Sequence, residues 1–394
     1  MRQIRLPAVF MRGGTSKAIM FRAEDLPGDR AEQEAIFLAA IGSPDPNGRQ
    51  LDGMGGGISS LSKVCIIGPP SRPDADVDYT FAQVSVKQSS VDWSGNCGNM
   101  SSAVGPFAVD ESLVKASGKE AVVRIHNTNT RKIIVSRFAL DDGEAAVDGD
   151  FALPGVAGTG APIRLEFLDP GGAGTGKLLP SGSARDVLDV PGIGSIEASL
   201  IDAANPGVFV RAADLGLTGV EMPAALDEDH TTLEKLEAIR RAASVRMGIA
   251  ATTDAAAEIP GIPKVAIVSP PADAATLSGE PLAAEAMDFA VRMISVGQPH
   301  RAVPLTGAMC LAVASRIEGS IVHEVARRPG DPSADIRIAQ PSGLTVVGAT
   351  VDRRNGEWVA EKAVVYRTAR RLFDGTVYVR ASRLPSVARR AAAE

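Results

Sequence analysis

Cys97 sits in Ser94-Gly95-Asn96-Cys97-Gly98-Asn99-Met100, with a Gly-Asn pair on each side of one thiol and a small, apolar run from Met100 to Phe107 behind it. Glycine and asparagine let a chain turn sharply, and the run that follows suits a buried helix. A cysteine at such a helix start lies in the field of unpaired N–H groups, which lowers a thiol's pKa and frees the thiolate as a base or nucleophile. The same N–H groups can hold a carboxylate or steady a developing enolate. On its residues alone, Cys97 reads equally well as a structural cysteine in a glycine-rich turn. Cys65 and Cys310 lie inside apolar runs and read as core.

Two further glycine-rich turns carry hydroxyls and a cation. In Asp52-Gly53-Met54-Gly55-Gly56-Gly57-Ile58-Ser59-Ser60-Leu61-Ser62-Lys63 the GxxxxGK[ST] spacing of a phosphate loop is missing. N–H groups at Gly56 and Gly57 with the hydroxyls of Ser59 and Ser60 suit a carboxylate equally well. Lys63 leads straight into the apolar run VCIIGPP. A lysine partly buried at such an edge can serve as a proton-transfer base, whereas a solvated one is only a surface charge. In the third turn, Met11-Arg12-Gly13-Gly14-Thr15-Ser16-Lys17, residues Arg12, Thr15 and Ser16 form a candidate anion clamp.

These turns need strands and helices to aim them. Residues 77–86 (VDYTFAQVSV) and 287–296 (MDFAVRMISV) match at an offset of 210, pairing Asp78 with Asp288. Ser62-Lys63-Val64 matches Pro263-Lys264-Val265 at 201, and Phe21–Leu26 matches Val210–Leu215 at 189. Three matches in order predict a duplicated chain. The Gly/Pro-rich stretch 170–194 predicts a boundary, giving domains 1–185 and 186–394, with the last strand free to cross back to the first. YTFAQVSV, KVAIVSP and TVYVRAS read as strands. Helices are expected over 29–41 and from a Thr231–Glu234 capping box, with Leu233, Leu236, Ile239 and Met247 at helical spacing. Each half is therefore α/β, strand-rich with few long helices.

Composition narrows the partners. With 41 basic and 47 acidic residues the net charge is -6, so no global field draws the chain to nucleic acid or an anionic membrane. At 4% aromatic content a base-stacking surface is not expected either. Three cysteines make neither an even disulfide framework nor a CxxC metal pair, so no metal site is expected and a reducing cytoplasm is. The N-terminal sequence lacks a signal peptide's apolar run, and no stretch of about 18 apolar residues occurs.

The repeat bears on the thiol. Aligning Ala103-Val104 with Ala312-Val313 sets Cys97-Gly98 opposite Thr306-Gly307, a hydroxyl in place of a second thiol. Cys97-Gly98-Asn99 and Thr306-Gly307-Ala308, each opening a helix in one of two similar halves, resemble the diaminopimelate epimerase superfamily. More specifically, MRGGTSK (11–17), GSPDPNGRQLDGMGGGISSLSK (42–63), RPDADVDYTFAQVSV (72–86) and VDWSGNCGNMSSAVGPFA (91–108) resemble the PrpF family of that fold. The likeness is dense over the first 110 residues and looser over 140–260.

The resemblance implies an α/β (α+β) protein of two pseudo-symmetric epimerase-like domains, each a β-barrel-like sheet around a central helix, with the active site in the cleft between them. It implies a cofactor-independent isomerase of an unsaturated di- or tricarboxylic acid, most simply one catalysing cis-trans isomerisation of 2-methylaconitate. 4-Oxalomesaconate tautomerisation and methylitaconate isomerisation are the alternatives within the family. The loop GISSLSK and the turn WSGNCGN look closer to the first branch than the DPLTSK-like and QNCGN-like versions of tautomerases. The catalytic pair falls on Lys63, the base and proton shuttle, and Cys97, an assisting acid/base or a positioning group.

Moving a double bond requires removing an allylic proton, returning one, and steadying the enolate-like intermediate. The substrate's carboxylates are expected at Asn96, Gly98 and Asn99, at Thr306 and Gly307, and at Gly56, Gly57, Ser59 and Ser60 with Arg12, Thr15 and Ser16. Lys264 and His300 add cationic candidates, while Lys17 and Arg301 read as surface charges. The expected partner is this small acid and no macromolecule, and assembly into a homo-oligomer is left open. A different class, a non-catalytic carboxylate-binding accessory protein, would need the clamps but not Lys63. An amino-acid racemase would need a stronger acid opposite Cys97 than Thr306.

Overall fold

The structure is a computed structural model and describes residues 3–327 and 333–384. It is a mixed α/β protein, dominated by sheet with few long helices. The chain divides into two compact units, Met1–Glu166 with Tyr366–Glu394, and Phe167–Val365. The Gly/Pro-rich stretch 170–194 lies inside the second unit. Its glycines wrap a buried carboxylate there: Asp202 Oδ2 accepts from the N–H groups of Gly174 (2.8 Å) and Thr175 (2.6 Å) and from the Thr175 hydroxyl.

The first unit runs β1 (Gln3–Gly13), β2 (Ser16–Arg22), α1 (Arg30–Ile41), β3 (Lys63–Gly68), β4 (Val77–Val84), α2 (Gly98–Asp110), β5 (Glu120–Asn127) and β6 (Lys132–Asp141). Successive strands pair antiparallel, parallel, antiparallel, parallel, antiparallel. The second unit repeats this order with β7 (Gly194–Ala203), β8 (Asn205–Arg211), α3 (His230–Arg246), β9 (Lys264–Ser269), β10 (Phe289–Ser295), α4 (Leu305–Arg316), β11 (Ile336–Gln340) and β12 (Gly343–Arg354), with the same alternation. A last strand, β13 (Ala369–Arg380), returns to the first unit and pairs with β1 along its whole length.

α1 begins where Asp29 accepts from the Glu32 N–H and ends at Gly42 in the left-handed conformation. It buries Ile36, Phe37 and Ile41 against Phe21, Val64 and Val84, with the Phe21 and Phe37 rings stacked 5.9 Å apart. α3 plays the same part in the second unit, packing Leu236, Ile239 and Ala243 on Val208, Val265 and Ile294. Its cap is Asp229, which accepts from the Thr232 N–H, and not the expected Thr231. The carboxylate one turn ahead of Thr232 competes better for that amide. α2 and α4 are buried on almost every face, Met100–Val109 and Gly307–Ser315, as their small and apolar residues require.

The ladder corrects one expectation. Lys63 and Lys264 each open a strand, beside Ala18 and Gly207, so the offsets of 201 and 189 hold. On the next strand the structural offset is 212 and not 210. Asp76, not Asp78, exchanges backbone and carboxylate hydrogen bonds with Arg124 as Asp288 does with Arg337. A slip of two residues keeps the same face of a strand, so the apolar pattern survives it unchanged.

Candidate active site

Lys63 is 7% exposed, and its Nζ donates to Gln83 Oε1 at 2.6 Å and lies 5.0 Å from the centre of the Phe81 ring. Antiparallel pairing of β3 with β4 sets Lys63 directly opposite Gln83. Gln83 is fixed in turn, since its Nε2 donates to the carbonyls of Ser59 and Ser62, both at 3.0 Å. Among the described residues no carboxylate forms an ion pair with Lys63.

The glycine-rich loop ahead of Lys63 is organised by buried Gln50, whose side-chain carbonyl accepts from the Gly57 N–H (2.9 Å) and the Ser62 hydroxyl (2.8 Å). Gly57 has φ of +77°, and a Cβ there would stand 2.2 Å from the Gly48 carbonyl oxygen. The Gly57 amide is thus spent inside the loop. Among the described residues, nothing takes up the N–H groups of Ser59 and Ser60, which open a single 3₁₀ turn. Gly56 is exposed on the same loop.

Cys97 is half-buried and caps α2 without a side-chain hydrogen bond, leaving the first-turn amides of Gly98 and Asn99 free of protein partners among the described residues. Its loop is tied down by asparagines. Asn129 Nδ2 donates to the Trp93 and Phe81 carbonyls at 2.7 and 2.9 Å, and fully buried Asn127 reaches Asn96 Oδ1 at 3.4 Å. Phe81 therefore serves both groups, with its ring under the Lys63 amine and its backbone on the asparagine that holds the Cys97 loop.

The turn at residues 13–16 lies against the start of α2. A Cβ on Gly13 would fall 2.7 Å from the Asn99 carbonyl oxygen, and one on Gly14 would fall 2.4 Å from Asn99 Oδ1. Asn99 Nδ2 donates to the exposed Thr15 hydroxyl at 3.1 Å, and Asn99 Oδ1 accepts from Arg367 Nε at 3.1 Å. Arg12 faces elsewhere, with its Nη1 on the carbonyls of Gly14 and Thr368 and on the Thr368 hydroxyl. Burial and then Arg370 hold its guanidinium below the ordinary arginine range. Ser16 is buried at the start of β2, and Lys17 lies over the Phe10 ring.

The second unit gathers its own set. Lys264 donates to the Ser295 hydroxyl at 2.7 Å, and burial lowers its pKa. Burial, and then the Lys264 charge, also lower the pKa of His300, whose Nε2 is buried without a hydrogen-bond partner among the described residues. Thr306 is the second residue of α4, not its cap, because the helix starts behind Pro304. Gly307 is pressed against Met293, whose sulfur would lie 2.6 Å from a Cβ there. Cys65 and Cys310 are fully buried, and burial pushes both thiols up.

Gln83, Asn127, Asn129 and Arg367 were missed in the sequence. Gln83 could have been found from the strand ladder opposite Lys63, and the asparagines from the His126-Asn127-Thr128-Asn129-Thr130 turn. Nothing in the sequence placed Arg367 beside Asn99, 268 residues away. Burial lowers Arg367 to about 10, and proximity to Cys97 acts the other way. Among the described residues no group of three or more His, Cys, Asp or Glu side chains could hold a metal ion. No described helix is long and apolar enough to cross a membrane.

Comparison with known proteins follows the same lines. The family model described as PrpF protein matches residues 3–380. The chain is 43% identical to a 3-methylitaconate isomerase of Eubacterium barkeri, over 97% of this chain and 99% of that one. It is 41% identical to a 2-methyl-aconitate isomerase of Shewanella oneidensis, over 96% and 97% respectively. The crystal structure of a methylitaconate-delta-isomerase superposes with a TM-score of 0.92 at 43% identity, covering 97% of both chains. With the family model matched over residues 3–380 and near-full-length relatives above 40% identity, the chain belongs to the PrpF family.

Proposed function

We propose that this PrpF-family isomerase shifts a proton and a double bond in a methyl-substituted unsaturated tricarboxylic acid, with cis-trans isomerisation of 2-methylaconitate as the reaction. The observation that carries the reading is Lys63, a buried amine held by a neutral amide and paired with no carboxylate among the described residues. A buried amine held in one place can take an allylic proton and return it. The free amides of Gly98 and Asn99 and the guanidinium of Arg367 suit the carboxylate that becomes enolate-like, and Cys97 stands at the same helix start. The repeated strand order of the two units supports reading each as an epimerase-like half. The chemistry asks nothing of a cofactor. Isomerisation of methylitaconate is a second reading, favoured by the superposition on the methylitaconate-delta-isomerase structure.

Incubation with 2-methylaconitate, methylitaconate and proline in D₂O tests this. Deuterium is expected at the allylic carbon of 2-methylaconitate, lost by about 10²- to 10⁴-fold in Lys63→Ala. Full turnover by Lys63→Ala, or exchange only at the α-carbon of proline, overturns the reading.

A further inference from the structure

We infer that Gln83 is a positioning residue that aims the lone pair of Lys63, and that it makes Lys63 rather than its counterpart Lys264 the base; this rests on the isomerase reading above. The carboxamide of Gln83 has one acceptor oxygen and one NH₂ group. Both amide hydrogens are committed, at 3.0 Å each, to the carbonyls of Ser59 and Ser62, so the group cannot turn over without leaving two carbonyls facing an oxygen. The oxygen is thereby fixed toward Lys63 at 2.6 Å, as an acceptor only. It takes an N–H from lysine in either protonation state and can never donate into the neutral amine. Once Lys63 has lost its proton, its lone pair must point away from Gln83.

The duplicated chain supplies the contrast. Lys264 opens its strand as Lys63 does, and its neighbour across the antiparallel ladder is Ser295. A serine hydroxyl both donates and accepts, so it can rotate and occupy the lone pair of Lys264. One amine is thus held with its basic electrons free and the other with them satisfiable by its own partner.

The test compares Gln83→Glu and Gln83→Met with the wild type in the D₂O exchange assay on 2-methylaconitate, as full pH profiles with kcat and KM separated. Gln83→Glu is expected to move the acidic limb of kcat up by about one to three pH units, because a carboxylate there favours the ammonium. Gln83→Met is expected to lower kcat by about 100-fold with KM nearly unchanged, the cost of a misdirected base. The position of a pH limb does not depend on the fraction of enzyme folded, so partial misfolding leaves the first readout intact. A Gln83→Glu limb at the wild-type position, or a Gln83→Met loss confined to KM, overturns the inference. A wild type that exchanges no allylic proton in either unsaturated acid overturns the functional reading itself, and that arm is read before any variant is.

Discussion

Arg367 donates from Nε to the side-chain oxygen of Asn99, the second residue of α2, at 3.1 Å. Its Nη1 is spent on the Tyr366 carbonyl at 2.7 Å, which holds the guanidinium plane in one attitude. With its pKa lowered to about 10 by burial, the group stays charged at neutral pH. Under the proposed reaction Arg367→Met raises KM for 2-methylaconitate by about 10- to 100-fold, the usual loss when one partner of a half-buried charged pair is removed. Arg367→Lys restores charge without the fork and is expected to recover only part of it. Steady-state kinetics at fixed pH decides, and an unchanged KM in Arg367→Met removes the residue from the binding site.

Gly14 has φ of +53° and stands where a Cβ would meet Asn99 Oδ1 at 2.4 Å. Gly14→Ala must accept the left-handed penalty and displace Asn99, for a loss of about 1–3 kcal/mol. Urea titration measures it. The variant is also expected to raise KM as Arg367→Met does, because Asn99 carries the bond to Arg367.

Cys97 occupies a helix cap without capping it. Cys97→Ser puts a hydroxyl where the first-turn amides can use it, which stabilises a helix by about 0.5–1 kcal/mol. The expected outcome is a Tm raised by about 2–4 °C together with a kcat lowered by about 10- to 100-fold. A scanning calorimetry trace and the exchange assay on the same preparation test the pairing; a loss in both would show that the thiol holds the turn together.

Away from the site, Glu324 accepts from Arg211 Nε at 2.7 Å and Nη2 at 2.9 Å, and also from Arg185. The Arg211 hydrogen bonds lead in holding its carboxyl down at about 2, against an ordinary value of 4.5. A carboxyl depressed in the folded state adds stability above about pH 4.5, and that stability drains away as pH falls toward 2. Because the glutamate is 43% exposed, solvent screening limits its contribution to about 1 kcal/mol. Glu324→Gln should therefore be less stable than wild type at pH 7 and converge with it near pH 2, as followed by urea unfolding across pH.

Much of this was legible in the chain. The lysine at the mouth of an apolar run, the thiol between two Gly-Asn pairs and the RGGTS turn are local signals, and local signals survive without a fold. The duplication was legible because strand periodicity is local too, yet period-two patterning could not distinguish Asp78 from Asp76 as the counterpart of Asp288. What escaped was held by register and by distance. Gln83 acquires its meaning only opposite Lys63, and Arg367 only once β13 has returned to β1. The clamp expected at Arg12 did not include Thr368, which accepts from its guanidinium from 356 residues away.

That return of β13 also orders events during synthesis. β1 is translated before the strand that covers its edge, Ala369–Arg380, and the whole second unit is translated in between. A nascent chain therefore carries an open strand edge while the second unit is being made, whereas the second unit is contiguous and can close as soon as it is out. Truncation before residue 369 would leave that edge permanently bare.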